Sequence, residues 1–193
     1  MPLEKTFVIF KPDSSGLEDV IMEEILSLGD IKIINTKHVL TNDHLIRAHY
    51  LHGNQGVFHY GEKYISHHKE LEENPNNVKK FGEIVISNLC KYMGNKILFT
   101  AVFQGEDVVN KIRQKVGPTE PFSAPSFTIR GKYGKDSYEL ADKQSRNILN
   151  LIHCSDCEQE ALREIYLWLY SGRGIVIPNS ETITKALKQY YST

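Results

Sequence analysis

Residues 6–13 read Thr-Phe-Val-Ile-Phe-Lys-Pro-Asp, five β-branched or aromatic side chains in a row that end on a cation and a proline turn. A run this short and this uniformly apolar predicts a buried strand, and the proline stops it. Lys11 therefore stands at a strand's carboxyl end. After Ser14-Ser15-Gly16, the residues Leu17, Val20, Ile21, Ile25 and Leu28 fall on one helical stripe that Gly29 closes.

Working outward, the same alternation recurs. Residues 31–40 predict a second strand, Thr41-Asn42-Asp43 supplies helix-capping side chains, and 44–50 reads as a short helix. Ile-Leu-Phe-Thr-Ala-Val-Phe at 97–103 is the most apolar segment and predicts a central strand; 107–116 then places Val108, Val109, Ile112 and Val116 on one helical face. The stretch 117–125 holds Pro118, Pro121 and Pro125 and predicts a long shaped loop. A brief strand at 150–153 follows, and Ser155-x-x-Glu158 matches a capping box opening a helix through Ala161, Leu162, Ile165 and Leu169. This order predicts an α/β (α+β) chain, a ferredoxin-like βαββαβ sandwich: an antiparallel four-stranded sheet with helices covering one face, plus a helical insertion.

The chain has 193 residues, enough for one domain with its own core. Twenty-three Lys and Arg against 24 Asp and Glu leave a formal charge of -1, so the general cationic field that nucleic acid or an anionic membrane requires is absent. Any anionic ligand must be held by local cations. No apolar run approaches the roughly 20 residues that span a bilayer, and Met-Pro-Leu-Glu-Lys-Thr-Phe has no signal-like pattern, so a cytoplasmic location is expected. Cys90, Cys154 and Cys157 form no evident disulfide framework. Cys154-Ser155-Asp156-Cys157 is formally a C-x-x-C and raises a redox reading; a zinc site would need two more ligands, and only His153 is close.

The side chains that suit chemistry cluster at element ends. Lys11 would aim an ammonium into the crevice where α/β sheets bind ligands. Arg113, Thr119 and Arg130 bracket the proline-rich loop, and two guanidiniums with a hydroxyl suit phosphate oxygens; Arg130 directly follows two β-formers, Thr128 and Ile129. His153 ends an apolar strand just before a helix N-terminus, where developing negative charge meets free N–H groups. A free imidazole, with a reference pKa near 6.5, is about three-quarters neutral at pH 7 and so able to attack. Glu164 is the best sequence candidate to fix its tautomer. His59, His67 and His68 read as solvent-facing.

Lys11-Pro12-Asp13, Arg113-x3-Gly117-x-Thr119-x-Pro121, Thr128-Ile129-Arg130-Gly131 and Asn150-x2-His153-x-Ser155-Asp156, in that order, resemble the nucleoside diphosphate kinase family. The resemblance implies transfer of the γ-phosphoryl group of a nucleoside triphosphate to a nucleoside diphosphate through a phosphohistidine, in a ping-pong sequence. It implies His153 as nucleophile, Lys11, Arg113, Thr119, Arg130 and Asn150 on phosphate and ribose, Tyr50 hydrogen-bonding near the lysine, and Ser155 and Glu164 positioning the ring. It further implies Mg2+ carried mainly by the nucleotide phosphates, and a homo-oligomer, a hexamer or a tetramer of dimers, with the Pro121 loop near subunit contacts. The alternative is a catalytically silent nucleotide- or protein-binding domain of the same fold, which would be expected to lack the histidine or a phosphate clamp.

The chain departs from the common family pattern. Ser14 stands where a glycine is usual, and two stretches are long, about 52–88 and about 132–146, as in the archaeal-type members. The whole chain, 1–193, is read as one domain. Asn74-Pro75-Asn76-Asn77 predicts a turn and Ile84-x4-Leu89 a helix, so 52–88 is expected to be a helical excursion beside the nucleotide cleft. Phe58 and Tyr64 are both candidates to stack on the base, and the tail beyond Tyr170 carries no residue with an assigned role.

Overall fold

The computed structural model describes residues 3–51, 56–68 and 70–177. The first strand, β1 (Leu3–Phe10), leads through a single 3-10 turn at Pro12–Ser14 into α1 (Glu18–Leu26), then β2 (Ile31–Leu40) and α2 (Asp43–Tyr50). Two helices follow, α3 (Gly56–Ser66) and α4 (Pro75–Met93), before β3 (Ile97–Glu106) and α5 (Val108–Val116). Two short helices, α6 (Ile129–Tyr133) and α7 (Tyr138–Lys143), precede β4 (Ile152–Cys154), α8 (Glu158–Leu169) and β5 (Ile175–Ile177).

The sheet order is β4-β1-β3-β2-β5, every neighbouring pair antiparallel. The first four strands make the expected four-stranded sheet of the ferredoxin-like sandwich. A fifth, β5, joins the β2 edge opposite His38–Leu40; its signal, the β-branched Ile-Val-Ile at 175–177, lies in the tail to which the sequence reading gave no role.

The expectation of one covered face is corrected: helices pack on both. Side chains alternate along a strand, so Phe7 and Ile9 of β1 join a core with α2, α4 and Trp168 of α8, while Val8 and Phe10 join a second core with Ile21 and Ile25 of α1 and Val108, Ile112 and Val116 of α5. That is why residues 6–10 are buried without a polar alternation. The 52–88 stretch holds α3 and most of α4. The helix α4 does not end at Asn88, and Ile86, Leu89, Cys90 and Met93 belong to the first core. Tyr60 of α3 and Val85 of α4 pack against the same core. These two helices cross closely at Gly61 and Gly82: a Cβ on Gly61 would stand 1.8 Å from the Val78 carbonyl oxygen, and one on Gly82 1.9 Å from that of Val57.

Three local readings also change. Residues 128–131 are a helix start: the Thr128 hydroxyl accepts from the Gly131 N–H at 3.1 Å, so Arg130 lies in the first turn of α6. Ser155 does not cap α8, whose N-cap is Cys157; its hydroxyl is drawn inward to Glu164. His68 is half-buried, its Nδ1 2.8 Å from the Tyr64 carbonyl oxygen and its Nε2 2.8 Å from Asp142 Oδ2, and His67 stacks on Tyr138 with centroids 4.3 Å apart. The solvent-facing reading holds for His59 and His67, which are both exposed, and fails for His68.

Candidate active site

The carboxyl ends of β1 and the start of β4 open onto one cleft of about 1030 Å³, walled on the far side by α3, α4 and α7. Lys11, Tyr50, Arg113, Thr119, Arg130, Asn150, His153 and Glu164 all line it; Ser155 sits behind.

His153 is centred in β4, paired across to Ile9 of β1, so the sheet itself sets its backbone. Its Nε2 lies 2.8 Å from Oε1 of Glu164, a residue only 3% exposed, while the other carboxylate oxygen accepts from the Ser155 hydroxyl at 2.5 Å. Ser155 is anchored in turn by the Phe7 backbone, whose N–H donates to Oγ at 3.2 Å. Burial alone would raise the Glu164 carboxyl, but the facing His153 and His49 and the two hydrogen bonds bring it down to about 2. Glu164 is therefore a carboxylate that only accepts, so His153 Nε2 carries the proton and Nδ1 holds the lone pair. Nδ1 has no hydrogen-bond partner among the described residues.

His49 was given no role by the sequence reading and is central here. It is 2% exposed, its ring meets that of His153 edge-on with centroids 4.6 Å apart, and its Nδ1 accepts from Trp168 Nε1 at 3.2 Å. Burial holds it well below its ordinary pKa, with Glu164 opposing. The only advance signal was its place on the inner face of α2, beside the buried Leu45, Ile46 and Tyr50. His49, His153 and Glu164 bring three potential ligand atoms within 4.8 Å of one another, but each is already committed to the hydrogen bonds just described.

The cations converge on the other side. Lys11 is buried, donates to Asn150 Oδ1 at 2.6 Å, and is lowered to about 7 by burial and then by the Arg130 charge. Arg130 donates to three backbone carbonyls, those of Asn150 at 3.1 Å, Gly117 at 2.9 Å and Ile152 at 2.8 Å. It thus splints the proline-rich loop to the β4 approach. Asn150 closes the frame by donating to the Thr119 carbonyl at 3.0 Å. Arg113, at the end of α5, pairs with Asp156 in the open. Behind this frame, Asp13 accepts from the Leu151 N–H at 2.9 Å and from the Tyr92 hydroxyl, and Asp136 pairs with Arg146 and accepts from the Leu149 N–H.

Tyr50 lines the cleft, its ring edge-on to His153 with centroids 6.5 Å apart, but its hydroxyl donates to Met93 Sδ at 3.6 Å and not toward Lys11. Phe58 is 46% exposed and does not line the cleft. Tyr64 does, yet its ring stacks with both His68, at 4.0 Å, and Phe81, at 5.0 Å, and so is occupied. The redox reading fails: Cys154 and Cys157 are unpaired, and burial raises the Cys154 thiol to about 11, far from a reactive thiolate.

A family model described as nucleoside diphosphate kinase matches residues 4–173. A nucleoside diphosphate kinase of Pyrobaculum aerophilum is 36% identical over 176 residues, which cover 87% of this chain and 96% of the relative. The human nucleoside diphosphate kinase 3 is 32% identical, with 86% and 76% covered. Among solved structures, an NDP kinase from Pyrobaculum aerophilum superposes with a TM-score of 0.80 at 36% identity, covering 89% of this chain and 98% of that one. A nucleoside diphosphate kinase from Borrelia burgdorferi, a transition-state mimic with bound vanadate and ADP, gives 0.68 at 26% identity, with 94% and 96% covered.

Proposed function

The chain belongs to the nucleoside diphosphate kinase family and is a phosphotransferase of that kind, and we propose that His153 Nδ1 carries the phosphoryl group between a donor triphosphate and an acceptor diphosphate. The observation that supports this most is the fixed tautomer: Glu164 accepts a hydrogen bond from Nε2–H, which leaves the Nδ1 lone pair as the ring's nucleophile beside a cleft lined with cations. The silent alternative is not favoured, since both the histidine and the phosphate clamps are present.

In this reading the γ-phosphorus accepts the Nδ1 lone pair, the bond to the leaving diphosphate oxygen breaks, and Lys11, Arg113 and Arg130 neutralise charge on the transferring group. The developing imidazolium keeps its Nε2 proton and is stabilised by Glu164. Donor product then leaves, the acceptor enters the same place, and the step runs backwards. Thr119 adds a hydroxyl, while Asn150 and Lys11 address the sugar. Tyr50 and Ser155 act by packing and by anchoring Glu164.

Mg2+ would come with the nucleotide. The phosphate end of the cleft is cationic, and the carboxylate of Asp156 there is paired with Arg113, a donor set that fits a metal held by phosphate oxygens and not by a protein cage. Bound there, the ion would offset β- and γ-oxygen charge.

We further propose one domain over 1–193, in which α3 with the first half of α4, and the 132–146 stretch carrying α7, are additions that wall the nucleotide cleft. The partners proposed are nucleoside di- and triphosphates, with no nucleic acid and no membrane. A cytoplasmic placement is part of the same proposal; no helix among the described residues is long and apolar enough to cross a membrane. A homo-oligomer, hexamer or tetramer, is supported by Phe122 and Phe127, 79% and 74% exposed on the proline-rich loop; sedimentation equilibrium tests it. The catalytic proposal is tested by incubating the protein with γ-labelled ATP and no acceptor: an acid-labile protein label that chases onto added diphosphate supports it, and absence of label overturns it.

A further inference from the structure

One of the cations lining the cleft stands on α3, outside the sandwich. Lys63, near the end of α3, lines the same cleft as Lys11, Arg113 and Arg130, and its Nζ donates to Thr119 Oγ1 at 3.5 Å. That separation is at the outer limit of a hydrogen bond, and an ammonium has three N–H groups to place. Among the described residues no carboxylate lies in ion-pair contact with it. The ammonium is close enough to its neighbours for their charges to oppose: partial burial and then Arg130 lower Lys63, with Asp156 acting against them, and Lys63 in turn is one of the charges that lower Lys11. A chain of net charge -1 thus places Lys11, Lys63, Arg113 and Arg130 along one cleft. Like charges held together in this way are relieved by an anion between them.

Resting on the nucleotide reading above, we infer that Lys63 is a fourth phosphate-binding cation, which α3 brings over the Thr119 side of the phosphate chain. Its neighbours are set by the sheet and the loop; Lys63 is set by the packing of α3 on α4. The anion that relieves Lys11 and Arg130 therefore also holds α3 in place, and closure of this wall is coupled to the phosphates and not to the base.

The test is equilibrium binding of ADP and of adenosine, each with magnesium, to the parent and to Lys63→Gln and Lys63→Arg. The Gln variant should bind ADP about tenfold more weakly, the low end of what a charge-assisted phosphate contact contributes, with adenosine binding unchanged. The Arg variant, which keeps the charge, should stay within about threefold of the parent for both. Parent-like ADP binding by Lys63→Gln would overturn the inference. So would equal weakening of ADP and adenosine, which would mark a wall displaced as a whole, or a loss in Lys63→Arg as large as in the Gln variant. Lys63 is exposed on its helix, so all three proteins should melt together. A parent that binds no ADP would overturn the nucleotide site itself, an outcome distinct from the others.

Discussion

The Nε2 atom of His153 lies 2.8 Å from Oε1 of Glu164, eleven residues further along the chain and on a different element. Because Glu164 is a buried carboxylate brought down to about 2, this single contact selects the tautomer of the ring.

Glu164→Gln tests that selection. An amide can donate as well as accept, so Nε2 no longer has to carry the proton and the wrong tautomer becomes available. The expected outcome is a fall in kcat of about 10- to 100-fold, with ADP affinity little changed. An equal loss in binding, or no loss in kcat, would contradict it.

His153→Ala should lose the acid-labile label and the exchange of phosphate between nucleotides while still binding ADP. In the parent, initial-rate plots at several fixed donor concentrations should run parallel, since one phosphate site serves both half-reactions. Intersecting lines would argue for a ternary complex.

The two arginines should separate. Arg113 meets only an exposed partner, so Arg113→Ala should lower turnover about 10- to 100-fold with an unchanged melting temperature. Arg130 holds three backbone carbonyls, so Arg130→Ala should also destabilise the protein by roughly 2–4 kcal/mol. Thermal melts of the two variants decide this; matching melts would remove the splinting role.

Lys11 supplies the pH dependence. Its folded value of about 7 lies below the unfolded value of 10.5. Between these two the unfolded chain binds the extra proton, so the ligand-free protein should gain stability as pH rises through this window. A bound phosphate favours the charged ammonium, so ADP should be bound with proton uptake and more weakly above about pH 7. Calorimetry in buffers of different ionisation enthalpy measures that uptake; proton release, or none at pH 8, would be the wrong sign.

Gly82→Ala should pry α3 from α4, because its Cβ would meet the Val57 carbonyl oxygen at 1.9 Å. Overpacking of this kind costs about 1–3 kcal/mol. The expected result is a raised nucleotide KM with kcat at saturation largely kept, since the catalytic groups stand on the sheet and its loops. Collapse of kcat in a folded variant would show that the α3 wall takes part in the chemistry.

How much of this was legible in advance can be read residue by residue. Local patterns are sufficient wherever one element's own side chains decide its state. The apolar run at 6–10, the stripe Val108, Val109, Ile112 and Val116, the Asn42 cap and the order of the elements follow from periodicity and turn chemistry alone, and with them the four-stranded sheet and the placement of Lys11 just past β1; His153 was expected at a strand's end and lies instead in the middle of β4. Tertiary structure decided the rest, because it depends on which distant groups meet in the interior. Ser155 carries a capping-box signature, yet the buried Glu164 carboxylate takes its hydroxyl. Arg130 looks like a strand residue, yet Thr128 caps a helix there and three distant carbonyls claim the guanidinium. His49 and Lys63 show no motif: one reaches the site because burial on α2 sets its ring against Trp168, Tyr50 and His153, beside Glu164, the other because two glycines let α3 lie close on α4. Hydrophobic periodicity specifies which face of an element turns inward, but a buried polar group takes whichever partner the packed interior provides.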